Sequence, residues 1–153
     1  TRTSHLLEDS YKLLEMGGHI DMTASPSFSA TKAIIEARKR GLPLERITIS
    51  SDGQGSYSSY DQDGHLTKIG VSSVQCLYDE FKNMLVNGFS LEEALPYFTQ
   101  NVAKGLNLNK GEIAEGKDAD LLLLDQDAFI DSVVALGKVH ILNKKQMIKG
   151  TYE

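Results

Sequence analysis

The sequence predicts an α/β fold, in which helices alternate with short parallel strands, followed by a β-rich tail. The amino-terminal half alternates helical and strand-like apolar spacing in the order helix, strand, helix, strand, which is typical of parallel α/β units. Hydrophobic residues make up 41% of the 153 residues, enough for a core. The character of the sequence changes at Gly111, after which short apolar runs replace helical spacing.

The first two helix–strand units are defined by their apolar spacing and by the glycines that end them. The spacing predicts a helix over residues 4–16 and a strand over residues 19–24 (HIDMTA), with Ile20 and Met22 on one side. A second helix is predicted over residues 29–40. The β-branched run that follows predicts a strand that ends at Asp52.

The middle and the tail of the chain are less regular. Residues 53–70 form a long polar segment in which Asp63-Gly64 predicts a small hairpin. A helix is predicted around residues 74–85, and the capping-box pattern of residues 90–93 predicts the start of another. The run Leu121 to Leu124 predicts a strand buried on both faces.

The composition limits the classes of function. The formal net charge is -5, so no basic field favours nucleic acid or an anionic membrane surface. The single cysteine, Cys76, excludes an internal disulfide, fits a reducing compartment and is expected to be packed. No apolar run approaches the roughly 18 residues of a membrane span, and no signal peptide is apparent. We therefore expect a cytoplasmic protein that binds neither nucleic acid nor membrane.

Asp52 is the strongest candidate for a site residue. It ends a strand, which is where α/β proteins place functional groups, and Gly53 and Gly55 behind it leave the backbone open to close approach. The alternative is a turn aspartate, because Asp-Gly is a common turn pair. One carboxylate is not a complete site, so a metal or a base must come from elsewhere.

The other polar motifs predict no second site. The histidines lack metal-type spacing, so each is expected to be a surface or structural residue; they are His5, His19, His65 and His140. Residues 59–70 (SYDQDGHLTKIG) are similar to a calcium-binding loop at Asp61 and Asp63. Gly70 stands where the bidentate acid belongs, so we reject a calcium site.

Several ordered segments carry a family resemblance. SSDG at a strand end is followed by SLEEAL, TQNVAKGLNL, KGEIAEGKDADLLLLD and VVALGKVHILNKKQMIKG. This combination resembles the closing third of an amidohydrolase-superfamily enzyme. Within that superfamily, LLEMGGHIDMTAS, SSDGQGS and LTKIG most resemble the isoaspartyl dipeptidases (β-aspartyl peptidases). The resemblance covers essentially the whole chain but only the carboxyl-terminal part of such an enzyme.

The resemblance implies a metal-dependent (β/α)8 barrel with a small β-sandwich domain. Residues 1–110 would be the last part of the barrel, with residues 18–23 and 47–51 as its seventh and eighth strands. Residues 111–153 would be a short β-rich segment of the sandwich. A full barrel needs roughly 200 or more residues, so we expect this chain to be a fragment or one chain of a split protein.

The resemblance also assigns roles to three residues. Asp52 matches the aspartate that binds metal and shuttles a proton. Arg2 matches an arginine that binds the substrate α-carboxylate, for which a guanidinium fork is suited; the alternative is a flexible terminal residue. Ser56 matches a serine beside the substrate. The histidine and lysine ligands of the family are absent here, so the two zinc ions of an intact site are not expected on this chain alone.

The implied function is hydrolysis of β-aspartyl (isoaspartyl) dipeptides by a metal-activated water. The intact enzyme would be a metallo-dipeptidase, and the isolated chain is expected to be inactive. The implied partners are a small isoaspartyl dipeptide, the missing amino-terminal part of the enzyme, and further copies in a homo-oligomer. Two alternatives stay open: another amidohydrolase of the dihydroorotase or D-aminoacylase type, or a non-catalytic fragment that acts as an interaction module.

Overall fold

The computed structural model describes residues 4–25 and 28–150, which form two helix–strand units, a hairpin, three further helices and a four-stranded sheet. The first half contains α1 (Ser4–Glu15), β1 (Ile20–Thr23), α2 (Ala30–Lys39), β2 (Ile47–Ser50), β3 (Ser56–Tyr60) and β4 (Leu66–Val71). The second half contains α3 (Gln75–Val86), α4 (Leu91–Ala94), α5 (Gln100–Leu106), β5 (Leu121–Leu124), β6 (Ile130–Ala135), β7 (Lys138–Leu142) and β8 (Lys145–Gln146). The predicted mixed α/β fold with a β-rich tail is confirmed.

Strands β1 and β2 pair in parallel and have two different faces. Ile20 pairs with Ile47 and Met22 with Ile49, and these four side chains are buried under the helices. The opposite face is polar: Asp21 accepts hydrogen bonds from the hydroxyls of Thr48 (2.8 Å) and Ser50 (2.5 Å). Because the strands are parallel, their carboxyl ends meet at one edge, and Asp52 follows β2 at that edge.

The core lies between this strand pair and the helices. Its fully buried members come from both strands and from α1, α2 and α3; they include Tyr11, Leu14, Met22, Ile34, Ile47 and Met84. Glu80 of α3 is also buried, and its carboxylate accepts hydrogen bonds from the backbone N–H and the hydroxyl of Thr31, each at 2.6 Å. Helix α3 therefore satisfies a free N–H in the first turn of α2.

The two most specific motifs of the second half pack against each other. Asn101, in TQNVA, is buried and donates to the carbonyls of Leu44 (3.1 Å) and Ile47 (2.8 Å), so α5 holds the start of β2. Gly111 opens the GEIAEG segment with φ +87°, and a Cβ there would lie 2.7 Å from the Ala103 Cβ and 2.8 Å from the Thr99 carbonyl oxygen. These motif positions are explained by packing.

The tail forms an antiparallel sheet in the order β5-β6-β7-β8. It contacts the helices through α3: the Tyr78 hydroxyl donates to the Ala128 carbonyl (2.6 Å), and the Lys82 ammonium lies 3.7 Å from the Phe129 ring centroid. The expectation that Leu121 to Leu124 are buried on both faces is wrong. Leu122 is 61% exposed and Leu123 50% exposed, whereas Leu124, at the end of β5, is partly buried and packs against the core.

None of the helices formed by the described residues is both long enough and apolar enough to cross a membrane.

Candidate functional site

The site is centred on Asp52, two residues beyond the last residue of β2. Its side chain is exposed, and its backbone lies in the left-handed region with φ 48°. Aspartate tolerates this region better than most residues, yet such backbone conformations in non-glycine residues concentrate at functional sites. The structure therefore holds the predicted candidate in an uncommon conformation at the carboxyl edge of the parallel strands.

The turn that contains Asp52 is closed by short-range hydrogen bonds. The Gly55 N–H donates to the Asp52 carbonyl (2.9 Å), and the Gly53 N–H donates to the Ser51 hydroxyl oxygen (3.0 Å). Gln54 is also left-handed, with φ 64°. The left-handed positions of this turn are occupied by Asp52 and Gln54, so left-handed backbone does not explain why positions 53 and 55 are glycine.

The glycines leave room for their neighbours. A Cβ on Gly55 would lie 2.8 Å from the Asp52 carbonyl oxygen and 2.9 Å from both Cγ and Oδ1 of its carboxylate. A Cβ on Gly53 would lie 2.5 Å from Cγ1 of Val74. The sequence predicted close approach to the backbone at this turn. The structure identifies Asp52 itself as one of the groups that come close.

The hairpin β3–β4 grows directly from this turn. The Gln54 N–H donates to the Ser72 carbonyl (2.9 Å), and the Ser72 N–H donates to the Gly55 carbonyl (2.8 Å). Ser56 begins β3 opposite Val71 and is exposed. The predicted hairpin at Asp63-Gly64 is confirmed, and its base connects Ser56 to the turn that carries Asp52.

The thiol of Cys76 packs at the base of the same turn. Its Sγ lies 3.8 Å from the Ser51 carbonyl oxygen, and the side chain is partly buried. Burial raises the pKa of the Cys76 thiol, which keeps it protonated at neutral pH. The expectation of a packed cysteine agrees with this partly buried environment.

The hairpin tip brings together Asp61 and Asp63, where a calcium site was considered and rejected from the sequence, with His65, which was expected to be a surface or structural residue. Ligand atoms of Asp61, Asp63 and His65 lie within 4.8 Å of one another, so this exposed group could hold a metal ion. The Asp61 carboxylate already accepts the backbone N–H groups of Asp63 (3.0 Å) and His65 (2.8 Å). The sequence feature that could have predicted this group is the alternating D-x-D-x-H spacing, because a tight hairpin turn can bring such side chains close together.

The other predicted residues are not gathered at Asp52. Arg2 lies outside the described residues. His19 contacts Arg46 (3.2 Å), and His140 lies on β7. Among residues 4–25 and 28–150, the group at the hairpin tip is the only set of three metal-ligand side chains with this proximity. The Asp52 carboxylate fits one ligand position of a metal site, and the described residues do not assemble the other donors around it.

Comparisons with known proteins identify relatives of this chain. The Amidohydrolase family model matches residues 7–152. The crystal structure of β-aspartyl dipeptidase from Fervidobacterium islandicum AW-1, in complex with the β-Asp-Leu dipeptide, superposes with a TM-score of 0.88 at 37% identity over 97% of this chain.

Curated relatives are more distant. A 5'-deoxyadenosine deaminase of Methanococcus maripaludis is 25% identical over 139 residues, which is 78% of this chain. An N-acetylglucosamine-6-phosphate deacetylase of Lysinibacillus sphaericus is 28% identical over 98 residues, 56% of this chain. The chain spans 40% of the Fervidobacterium dipeptidase, 31% of the deaminase and 25% of the deacetylase.

Proposed function

Because this chain belongs to the amidohydrolase family, we propose that it supplies the carboxyl-terminal part of a metal-dependent hydrolase of β-aspartyl (isoaspartyl) dipeptides. The observation that carries this proposal is the TM-score of 0.88 at 37% identity with the Fervidobacterium dipeptidase, whose structure contains β-Asp-Leu. Amidohydrolases are typically metal-dependent. The resemblance to isoaspartyl dipeptidase in the sequence motifs is confirmed by the family match and by this structural likeness.

In the proposed arrangement, residues 1–110 complete a (β/α)8 barrel and residues 111–153 contribute to a β-sandwich. The parallel pairing of β1 and β2 supports their placement as neighbouring barrel strands. The difference between their faces agrees with this, since the apolar face packs on helices and the polar face leads to Asp52. The separate antiparallel sheet of the tail supports the second assignment.

Asp52 has two roles in the proposed reaction. It is one ligand of a site for two divalent ions, which we propose to be zinc, and the remaining ligands come from another part of the protein. Such ions, when bound, lower the pKa of a water molecule and polarise the scissile carbonyl. Asp52 accepts the proton of the attacking water and delivers it to the leaving amine.

Two further residues would recognise the substrate. The Ser56 hydroxyl, four residues after Asp52 and exposed, would hydrogen-bond the aspartyl part of the dipeptide. The Arg2 guanidinium would hold the free α-carboxylate through paired hydrogen bonds. This chain alone would then lack activity, because it carries one metal ligand and part of the substrate pocket.

The role of Asp52 is tested by Asp52→Asn in the catalytically competent protein that contains this chain. The amide keeps the size of the side chain and removes its charge and its basicity. We expect kcat for β-Asp-Leu hydrolysis to fall by ~10²–10⁴-fold, the usual loss for a proton-transfer group. Asp127→Asn, at an exposed aspartate of the tail, is the matched control and should leave kcat unchanged. Near-normal turnover of Asp52→Asn would contradict the proposed role.

A second candidate function is hydrolysis of a different substrate by the same type of site. It is favoured by the deaminase and deacetylase relatives, which are 25% and 28% identical to this chain. A substrate panel separates the candidates: β-Asp-Leu, α-Asp-Leu, 5'-deoxyadenosine, N-acetylglucosamine 6-phosphate, dihydroorotate and an N-acyl-D-amino acid. Selective cleavage of β-Asp-Leu over α-Asp-Leu supports the dipeptidase. Turnover of another substrate of the panel without turnover of β-Asp-Leu would contradict the dipeptidase and support that other substrate class.

A non-catalytic interaction module is the third candidate. It is favoured by exposed apolar side chains on the hairpin and the tail sheet, such as Ile69 (67%) and Leu122 (61%). Cleavage of any member of the panel by the protein that contains this chain would exclude it.

A further inference from the structure

We propose that Gly55 is a positioning residue for the Asp52 carboxylate: the absence of a side chain at position 55 determines where that carboxylate can lie. The inference rests on the proposed function of Asp52 and extends it to a residue with no chemistry of its own. Gly55 neither binds metal nor contacts substrate in this proposal. It acts only through the space that it leaves.

The geometry carries this inference. A Cβ at position 55 would lie 2.9 Å from both Cγ and Oδ1 of Asp52 and 2.8 Å from the Asp52 carbonyl oxygen. Non-bonded carbon atoms are in best contact at about 3.5–4.0 Å, so an alanine here requires Asp52 to move, both at its carbonyl oxygen and at its carboxylate. All three of the nearest atoms belong to Asp52: one is its carbonyl oxygen and two are in its proposed metal-binding carboxylate.

Backbone conformation does not explain the glycine. Gly55 lies outside the left-handed region, so an alanine would meet no penalty from its own φ. The left-handed residue next to it is Gln54, with φ 64°. The requirement for glycine at position 55 is therefore one of space.

The backbone around Gly55 has little freedom to relieve the contact. The N–H of Gly55 is bonded to the Asp52 carbonyl, and its carbonyl is bonded to the Ser72 N–H in the base of the hairpin. The Gln54 N–H is bonded to the Ser72 carbonyl. With both peptide groups of Gly55 held, relief of the contact requires Asp52 itself to move, and a shift of its carbonyl oxygen displaces its carboxylate as well.

The test is Gly55→Ala in the catalytically competent protein, with Gly105→Ala as the matched control. Gly105 lies in α5, has no left-handed backbone and has open space around the position of a Cβ. Since a misplacement of about 1 Å can lower a rate by ~10²-fold, we expect Gly55→Ala to lower kcat for β-Asp-Leu by at least about tenfold. Its affinity for added Zn²⁺ should also fall. Gly105→Ala should keep both values.

A double-mutant cycle separates positioning from a general structural effect. Once Asp52→Asn has removed the carboxylate, adding Gly55→Ala should lower the residual kcat by less than twofold. The inference is overturned if Gly55→Ala alone keeps wild-type kcat, or if it lowers kcat equally with and without Asp52→Asn. Wild-type turnover of Asp52→Asn itself would instead contradict the proposed function.

A second pair of variants covers failure to fold. If Gly55→Ala does not reach a folded state by circular dichroism, Asp52→Ala is combined with it and compared with Asp52→Ala alone, because this change removes Cγ and the carboxylate and adds no backbone freedom. Recovery of folding shows that the Asp52 side chain is what the methyl group meets. Continued failure to fold places the clash in the backbone and overturns the inference.

Discussion

At the residue scale, the hydroxyl of Tyr11 ties the first helix to the second. Tyr11 is 1% exposed, and its hydroxyl donates to the carbonyl of Ala33 at 2.7 Å. The Arg40 guanidinium lies over the ring, 4.6 Å from its centroid. Burial raises the pKa of Tyr11 from the ordinary 10.0 to about 12, because the phenolate is poorly solvated there.

We expect Tyr11→Phe to lower the free energy of unfolding by about 1 kcal/mol at pH 8, the net value of one hydrogen bond. The folded-state pKa is raised, so this residue's contribution is fully present below pH 10 and is lost as the pH rises toward about 12. Tyr11→Phe should therefore flatten the alkaline fall in stability. Urea unfolding at several pH values between 8 and 11.5 measures this, with the exposed Tyr60→Phe as control. A slope unchanged by Tyr11→Phe would contradict it.

At the element scale, one amide side chain couples α5 to the start of β2. Asn101 is 4% exposed and donates both hydrogen bonds to main-chain carbonyls, those of Leu44 and Ile47. This gives a structural reason for the asparagine of the T-x-N-x-A motif: its side-chain amide supplies hydrogen bonds to backbone carbonyls where β2 begins. Because β2 leads to Asp52, α5 also helps to support the candidate site.

Asn101→Ala is expected to lower the free energy of unfolding by ~2 kcal/mol. The Ile47 carbonyl would lose a buried hydrogen bond, and an unsatisfied buried group costs roughly 1–3 kcal/mol before relaxation or water entry reduces it. The Leu44 carbonyl would lose one donor and would still accept the Ile47 N–H. Urea denaturation measures the change. Gln62→Ala, which removes an exposed amide at the hairpin tip, should remain within about 0.5 kcal/mol of wild type. Equal stability of the two variants would mean that the Asn101 bonds contribute no net stability.

At the scale of the whole molecule, the tail sheet is attached to the helices mainly through α3. The attachment includes the hydrogen bond from the Tyr78 hydroxyl to the Ala128 carbonyl, the Lys82 ammonium over the Phe129 ring, and the packing of Leu124 against the core. Leu122 and Leu123 contribute little to it, since both are at least half exposed. The Tyr78 hydrogen bond is one of the contacts that connect the tail sheet to α3.

Tyr78→Phe removes that hydrogen bond and should make opening of the tail easier by about 1 kcal/mol. If opening is in rapid equilibrium, proteolytic cleavage within residues 107–120 should become about fivefold faster. Limited proteolysis followed by intact mass measures the rate. Tyr60→Phe, at an exposed ring of the hairpin, is the control. Unchanged cleavage after Tyr78→Phe would show that this bond does not hold the tail.

The elements that the sequence predicted are those with strong local signals. Apolar spacing located α1, β1, α2 and β2, Asp63-Gly64 located the hairpin turn, and Ser90 with Glu93 forms the predicted capping box. The position of Asp52 at a strand end was predicted in the same way. Each of these features depends on residues within a few positions of one another, so the local sequence determines them.

Other features depend on residues that are distant in sequence. Whether a leucine run is buried on both faces depends on what covers its sheet, and Leu122 and Leu123 are exposed. The contact of Gly55 with the Asp52 carboxylate depends on left-handed backbone at Asp52 and Gln54 and on the base of the hairpin. The sequence by itself determined the mixed α/β fold, the family and the candidate aspartate. Only the tertiary structure decided which surfaces are covered and what surrounds that aspartate, because those depend on packing between distant segments.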